Sequence, residues 1–258
     1  MKITTWNINS VRLRMPIVER FLAQTAPDVL CLQETKCRDD QFPAKAFRAI
    51  GYDHLAVSGQ SAYHGVAIAA RVPLKNIEIR RFCGKEDARH IQATAPGGIE
   101  IHNFYVPAGG DEPDPAVNEK FDHKLKFLDE MRDWTAPMAT GRKKRVLVGD
   151  LNVAPHENDV WSHKQLLKVV SHTPAEVERL DAVREAGAWV DVARALHDDD
   201  EKLYSWWSYR AKDWRASNRG RRLDHIWVSP ALRKAALAGG RDAFAIHADA
   251  RDWEKPSD

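Results

Sequence analysis

Short apolar runs alternating with amphipathic stretches predict an α/β fold, a sandwich of mixed β-sheets flanked by helices. Three observations carry this expectation. The apolar runs are brief and strand-like, as in "VLCL" at 29–32, "GVAIAA" at 65–70 and "RVLVG" at 145–149. Between them lie segments with helical spacing of apolar residues. No repeat, low-complexity stretch or linker divides the chain, so residues 1–258 are expected to form a single domain.

"KITTWN" opens as a strand, its β-branched and aromatic residues suiting a pleated surface. "PIVERFLAQTA" places Ile17, Phe21 and Leu22 on one helical face, with Pro16 near its first turn. "DVLCLQE" reads as a buried strand, and "FPAKAFRAIG" as a short helix closed by Gly51. Strands are expected over 64–70, 77–82, 90–94 and 99–105. A helix follows through "NEKFDHKLKFLDEMRDW", where Phe121, Leu125, Leu128 and Met131 recur at helical spacing. "KRVLVGDLN" is a strand running into a loop, followed by helices through 159–187 and late strands near 203–206, 222–228 and 243–247.

The composition is that of a soluble globular protein, with no run long enough to cross a bilayer and no signal-peptide pattern. Cys31, Cys37 and Cys83 lack metal-ligand spacing, and their odd number points to reduced thiols and a cytoplasmic protein. The net charge of +2 is small, but residues 207–222 carry six basic residues against one Asp. That segment also holds Trp207, Tyr209 and Trp214, with Trp206 just before it, and basic residues interleaved with aromatics suit phosphate contact and stacking. Some of these rings must be core, since alternate residues of "YSWWSY" face opposite sides. "GRKKR" at 141–145 reads instead as a solvated turn before a strand.

Three apolar strands end in polar residues: "TTWN" in Asn7, "VLCLQE" in Glu34, and "VLVGDLN" in Asp150 and Asn152. Strand ends hold ligand and catalytic groups rigidly, and hard oxygen donors suit Mg²⁺ or Mn²⁺ rather than zinc. The alternative is that each residue caps a turn, as Asp and Asn after strands commonly do. Asp224, between apolar residues in "RGRRLDHIWVS", is costly there unless it is partnered. It reads either as the orienter of a histidine or as the partner of Arg221 or Arg222.

In order along the chain, "WNINS", "LQETK", "NFYVPAGG", "GDLNVAP", "RGRRLDHI" and "EKPSD" resemble the successive motifs of the exonuclease III family. These are bacterial relatives of apurinic/apyrimidinic (AP) endonucleases within the endonuclease/exonuclease/phosphatase fold, and the resemblance runs from residue 4 to the end. It implies a four-layered α/β sandwich and a Mg²⁺-dependent DNA-repair phosphodiesterase, with Mn²⁺ able to substitute. Such an enzyme would degrade double-stranded DNA from the 3′ end, clear blocked 3′ termini and incise abasic sites. It would act as a monomer in the cytoplasm, at the nucleoid, with no membrane partner. Glu34 falls at the family's metal ligand with Asn7 alongside, and Asp258 matches the aspartate of its Ser-Asp-His motif, catalytic and close to the metal. Asp150 and Asn152 match residues that orient water and bind phosphate, Tyr105 an active-site tyrosine, and Asp224 the aspartate that holds the catalytic histidine. Arg89, Trp206 and Arg221 fall near DNA-contacting positions.

Two departures qualify this. The family's histidine would follow Asp258, where the sequence ends, so the natural protein is expected to continue into a further strand. His172 lies in a segment that approaches DNA in this family, where a bulky ring would bias abasic incision against 3′-end trimming. The alternative makes His172 a helix-start residue beside the cap Thr173. A catalytically inert DNA-binding form and a phosphatase or deadenylase acting on another substrate are the competing functions. The tryptophans and arginines of 206–222 argue against small soluble phosphates.

Overall fold

The computed structural model describes residues 1–208 and 213–255. The chain divides into two compact units, the first comprising residues 1–105, 143–150 and the segment from His247, the second residues 106–142 and 151–246.

The first unit contains β1 (Ile3–Asn7), α1 (Val11–Thr25), β2 (Val29–Gln33), α2 (Ala44–Ala49), β3 (His54–Ser58) and β4 (Val66–Ala70). It continues with β5 (Lys75–Ile79), β6 (His90–Ala95), β7 (Ile99–Tyr105) and β8 (Lys144–Asp150). One sheet has the order β1-β2-β4-β3, and a second runs β5-β6-β7-β8 in this unit. Both are mixed. β1–β2 and β7–β8 are parallel, while the other neighbours are antiparallel. This is the α/β class that the alternating pattern predicts. Every residue of β2 is buried. Leu30 and Leu32 pack with Met15, Val18, Phe21 and Leu22 of α1, while Gln33 reaches the second sheet, its Nε2 donating to Asn103 Oδ1 at 2.6 Å. Asn103, fully buried, donates in turn to the carbonyls of Leu32 and Ala67, both at 3.0 Å. A buried amide persists between sheets because each of its polar groups has a partner.

The second unit holds α3 (Glu119–Thr135), α4 (His163–Leu166), α5 (Pro174–Ala186), β9 (Val190–Asp191) and α6 (Val192–Leu196). β10 (Trp206–Trp207), α7 (Trp214–Ser217), β11 (Gly220–Arg221), β12 (Asp224–Val228) and α8 (Arg233–Leu237) complete it. Phe121, Leu125, Leu128 and Met131 of α3 are buried, as their spacing requires. β12 pairs antiparallel with β9, and β10 with β11. Arg222, almost fully buried, is held by two carboxylates: its Nη2 lies 2.8 Å from Asp159 Oδ2 and 2.8 Å from Asp191 Oδ2. The cysteines are free, as their odd number suggests.

Several boundaries differ from the sequence expectation. α1 begins at Val11, five residues before Pro16, so Pro16 lies inside the helix rather than near its start. The early start is made by tertiary bonds, Ser10 N to Glu34 O at 2.7 Å and Val11 N to Thr35 O at 3.2 Å, which satisfy orphan donors without a side-chain cap. The strand expected over 77–82 is β5, shifted towards the N-terminus and exposed along its length. The strand expected near 203–206 is the two-residue β10. Residues 243–247 form no strand. Phe244 instead meets the ring of His197 at 5.9 Å, and His247 meets that of Phe21 at 5.2 Å, so ring contacts hold irregular backbone.

Candidate active site

Parallel pairing deliberately aligns strand ends. Asn7 ends β1 opposite Gln33 of β2, and Tyr105 ends β7 opposite Asp150 of β8. Parallel strands carry their carboxyl ends to one edge of a sheet, so each pair presents its terminal side chains together.

Asn7 joins the two carboxylates. Its Nδ2 donates to Glu34 Oε1 at 3.0 Å and to Asp150 Oδ2 at 2.9 Å, and its Oδ1 accepts from Asn9 N at 3.1 Å. The Tyr105 hydroxyl donates to Glu34 Oε1 at 2.7 Å. Lys36 Nζ lies 2.7 Å from Glu34 Oε2 and donates to Asn9 Oδ1 at 2.7 Å. Asn7, Tyr105 and Asp150 are buried and Glu34 is half-buried. Glu34 takes a left-handed backbone (φ 52°), a strained conformation for a residue with a side chain.

Burial pushes the Glu34 carboxyl up, but the hydrogen bonds of Asn7, Lys36 and Tyr105 with the Lys36 charge outweigh it, so its pKa falls below the ordinary value. Tyr105 moves the other way: burial, then the charges of Glu34 and Asp150, raise its phenol well above the ordinary range, which keeps it a neutral donor. Arg89 is buried beside it, with its guanidinium carbon 4.9 Å from the Tyr105 ring centre, Nε 3.2 Å from Asp87 Oδ2 and Nη1 3.3 Å from the Tyr105 carbonyl. His64 Nε2 lies 3.8 Å from Asp87, and its ring 6.2 Å from that of Tyr105.

Among the described residues no three His, Cys, Asp or Glu side chains gather as a metal cluster. The donor set nevertheless fits a hard divalent cation. Glu34 is held ionised, Asp150 is linked to it through one amide, and all the candidate donors are oxygens.

The remaining candidates lie in the second unit. Asn152 is left-handed (φ 53°), its Nδ2 donating to Val106 O at 3.0 Å. Asp224 Oδ2 accepts from the Ser205 hydroxyl at 2.7 Å. Of the arginines weighed as its partners, Arg222 is bound to Asp159 and Asp191, and Arg221 donates to Val170 O at 2.9 Å and Ser171 Oγ at 2.7 Å. Arg221 also sits over the half-buried Trp206, 5.5 Å from the ring centre, whereas Trp207 turns inward to Asn218 Oδ1 at 3.0 Å. His172 is buried, with Nδ1 2.6 Å from Ala154 O and Nε2 2.8 Å from His163 Nδ1. Thr173 beside it caps α5 in a capping box with Glu176, as the helix-start alternative requires. Asp258 and residues 209–212 of the basic segment lie outside the described residues.

The sequence reading missed Lys36, Asp87 and His64. Lys36 was available in "LQETK", two residues after Glu34, but a surface lysine gives the same pattern. Asp87 lies two residues before Arg89 and pairs with it locally, whereas His64 joins Asp87 and Tyr105 only through tertiary contact.

The sequence profile of the Endonuclease/Exonuclease/phosphatase family matches residues 4–258. The chain belongs to this family. Its relatives include exodeoxyribonuclease III of Haemophilus influenzae, 31% identical over 100% of this chain and 97% of that protein, and the DNA repair nuclease APEX1 of Danio rerio, 32% identical over 90% and 74%. Among solved structures, an AP endonuclease from Archaeoglobus fulgidus superposes with a TM-score of 0.87 at 33% identity, covering 100% of this chain and 96% of that one. A 3′ phosphatase from Neisseria, bound to a product DNA hairpin, gives 0.86 at 31% identity with the same coverage. Within the Endonuclease/Exonuclease/phosphatase family the chain therefore stands with nucleases of the exodeoxyribonuclease III and AP endonuclease type, and it is a hydrolase of that type. No helix among the described residues is long and apolar enough to cross a membrane.

Proposed function

We propose that this nuclease is a Mg²⁺-dependent DNA-repair phosphodiesterase that trims double-stranded DNA from the 3′ end, clears blocked 3′ termini and incises at abasic sites. The observation that carries the reading is the hydrogen-bonded set Asn7, Glu34, Tyr105 and Asp150. It joins an ionised carboxylate, a second carboxylate and a neutral phenol through one buried amide. Glu34 and Asn7 would hold the cation, with Asp258 as the resemblance implies. The bound ion would offset the negative charge that develops on the phosphate oxygens.

Asp150 aligns the attacking water and accepts its proton, with its carboxylate fixed by the Asn7 amide. Tyr105, kept protonated by burial and by its acidic neighbours, offers a hydrogen bond and no charge beside the scissile phosphate. Asn152 supplies an amide donor to the phosphate, and Arg89, Trp206 and Arg221 contact the DNA. The Neisseria phosphatase bound to its hairpin product supports DNA as the substrate, and the relatives' activities do not favour an inert form. The protein would work as a monomer in the cytoplasm, at the nucleoid.

The test uses three duplexes, carrying an abasic site, a recessed 3′ end or a 3′-phosphate, each with Mg²⁺ and with a chelator. Asp150→Asn should lower turnover on all three by about a thousandfold while duplex affinity stays within about threefold. Equal loss of affinity and turnover removes Asp150 from the chemistry, and cleavage unaffected by the chelator removes the cation.

A further inference from the structure

The second unit contains a buried ion pair that the proposed chemistry does not use. Lys124 of α3 and Glu176 of α5 both have side chains with no solvent exposure, and their Nζ and Oε1 are 2.5 Å apart. Taking two charges out of water is strongly unfavourable unless the remaining hydrogen-bonding capacity is filled. Here it is. An ammonium has three N–H donors. Those of Lys124 meet Glu176, the Asn152 carbonyl at 2.7 Å and the Ala108 carbonyl at 3.2 Å. Both Glu176 oxygens accept from Ser171 N, at 2.9 and 3.0 Å, and Oε2 also accepts from Thr173 N at 3.1 Å and Thr173 Oγ1 at 2.6 Å.

The segments gathered in this way are specific. The Lys124 side fixes the carbonyl of Asn152, whose backbone is left-handed, and that of Ala108, close to the Val106 carbonyl that receives the Asn152 amide. The Glu176 side fixes the turn at Ser171, which is also left-handed (φ 87°) and whose hydroxyl accepts from Arg221. Asn152 and Arg221, far apart in sequence, are thus both tied to the same pair of charges, Asn152 by one hydrogen bond and Arg221 by two, through Ser171. A hydrophobic pair of similar volume would join α3 to α5 equally well, but it has no donor for two carbonyls and no acceptor for two backbone amides.

We infer that Lys124 and Glu176 are positioning residues for the phosphodiesterase, setting the Asn152 loop and, through Ser171, the Arg221 side chain of β11 for the phosphate. The inference rests on the proposed role of Asn152. Misplacing a phosphate-binding amide by a fraction of its bond length lowers turnover steeply, with little effect on how a long duplex binds elsewhere.

The experiment compares wild type, Lys124→Met, the double variant Lys124→Met/Glu176→Gln and Asn152→Ala for thermal midpoint, kcat and KM on the abasic duplex. Lys124→Met strands a buried carboxylate and should be poorly stable. The double variant removes both charges, so its midpoint should recover while kcat stays down by about tenfold to a hundredfold, with KM within about threefold of wild type. Recovery of midpoint and kcat together overturns the inference, because a purely structural pair predicts that result. Should the double variant not fold, Lys124→Arg decides: it keeps the charge and changes the donor geometry. A tenfold or greater fall in its kcat at an unchanged midpoint supports positioning, and an unchanged kcat overturns it. If Asn152→Ala leaves kcat intact, the inference falls with the role assigned to Asn152, and the failure lies in that role rather than in the pair.

Discussion

Glu34 receives Asn7 and Tyr105 on one oxygen and Lys36 on the other, from a backbone position that few side chains tolerate. Such a carboxylate is ionised and immobile before any substrate or cation arrives, which is the preorganisation that phosphate chemistry rewards. Truncating it affects the cation first. For Glu34→Ala the Mg²⁺ concentration giving half-maximal cleavage should rise by about tenfold or more. A metal titration superimposable on that of the wild type would remove Glu34 from the cation site. Tyr105 illustrates how one contact acts in opposite senses on its two partners: the bond that lowers the Glu34 pKa raises that of the phenol.

At the scale of elements, the edge that carries the candidate site depends on how closely β7 and β8 run. Gly149 lies one residue before Asp150 with φ 144°, and a Cβ there would stand 1.9 Å from the Phe104 carbonyl oxygen. Only glycine lets the strand pass this backbone and still bring Asp150 to the Asn7 amide. Gly149→Ala should therefore destabilise the protein by about 2–4 kcal/mol, read as a lower urea midpoint at an unchanged slope. A midpoint equal to that of the wild type would show that β8 has room to move. Helix α1 teaches a related lesson. Its start is set by the Glu34 and Thr35 carbonyls, so the helix and the candidate site share hydrogen bonds.

For the molecule as a whole, acid is the informative stress. His90, His102 and His225 are buried, and burial lowers all three below the ordinary imidazole pKa, His102 to about 3 and His225 to about 4. Unfolded, each would take up a proton near its ordinary pKa of about 6.5. The stabilisation from keeping them neutral is thus complete above about pH 6.5 and is lost as pH falls towards the folded values, by up to about 1.4 kcal/mol per pH unit for each histidine. Urea unfolding between about pH 4.5 and 7.5 should show this slope, reduced by one proton in His102→Gln. Stability that stays flat down to about pH 5 would mean that these rings are protonated when folded. Below that range, Asp159 and Asp191, held down despite burial by Arg222, would lose their charges in turn.

The α/β class, the helical face of α3, the Thr173 cap and the polar strand ends at Asn7, Glu34 and Asp150 were all legible in the order of the residues. Each rests on a local pattern: periodicity, a cap, or an apolar run that stops at a polar side chain. Family membership was legible for the same reason, because six short motifs recur in order. Packing had to supply the rest. Whether Asn7 caps a turn or joins two carboxylates depends on strands 143 residues apart along the chain. The start of α1 depends on carbonyls of another loop, and the burial of Lys124 against Glu176 depends on the packing of α3 on α5. Local sequence governs backbone preference and which face is apolar, whereas the partner of a buried polar group is chosen by segments that only the folded chain brings together.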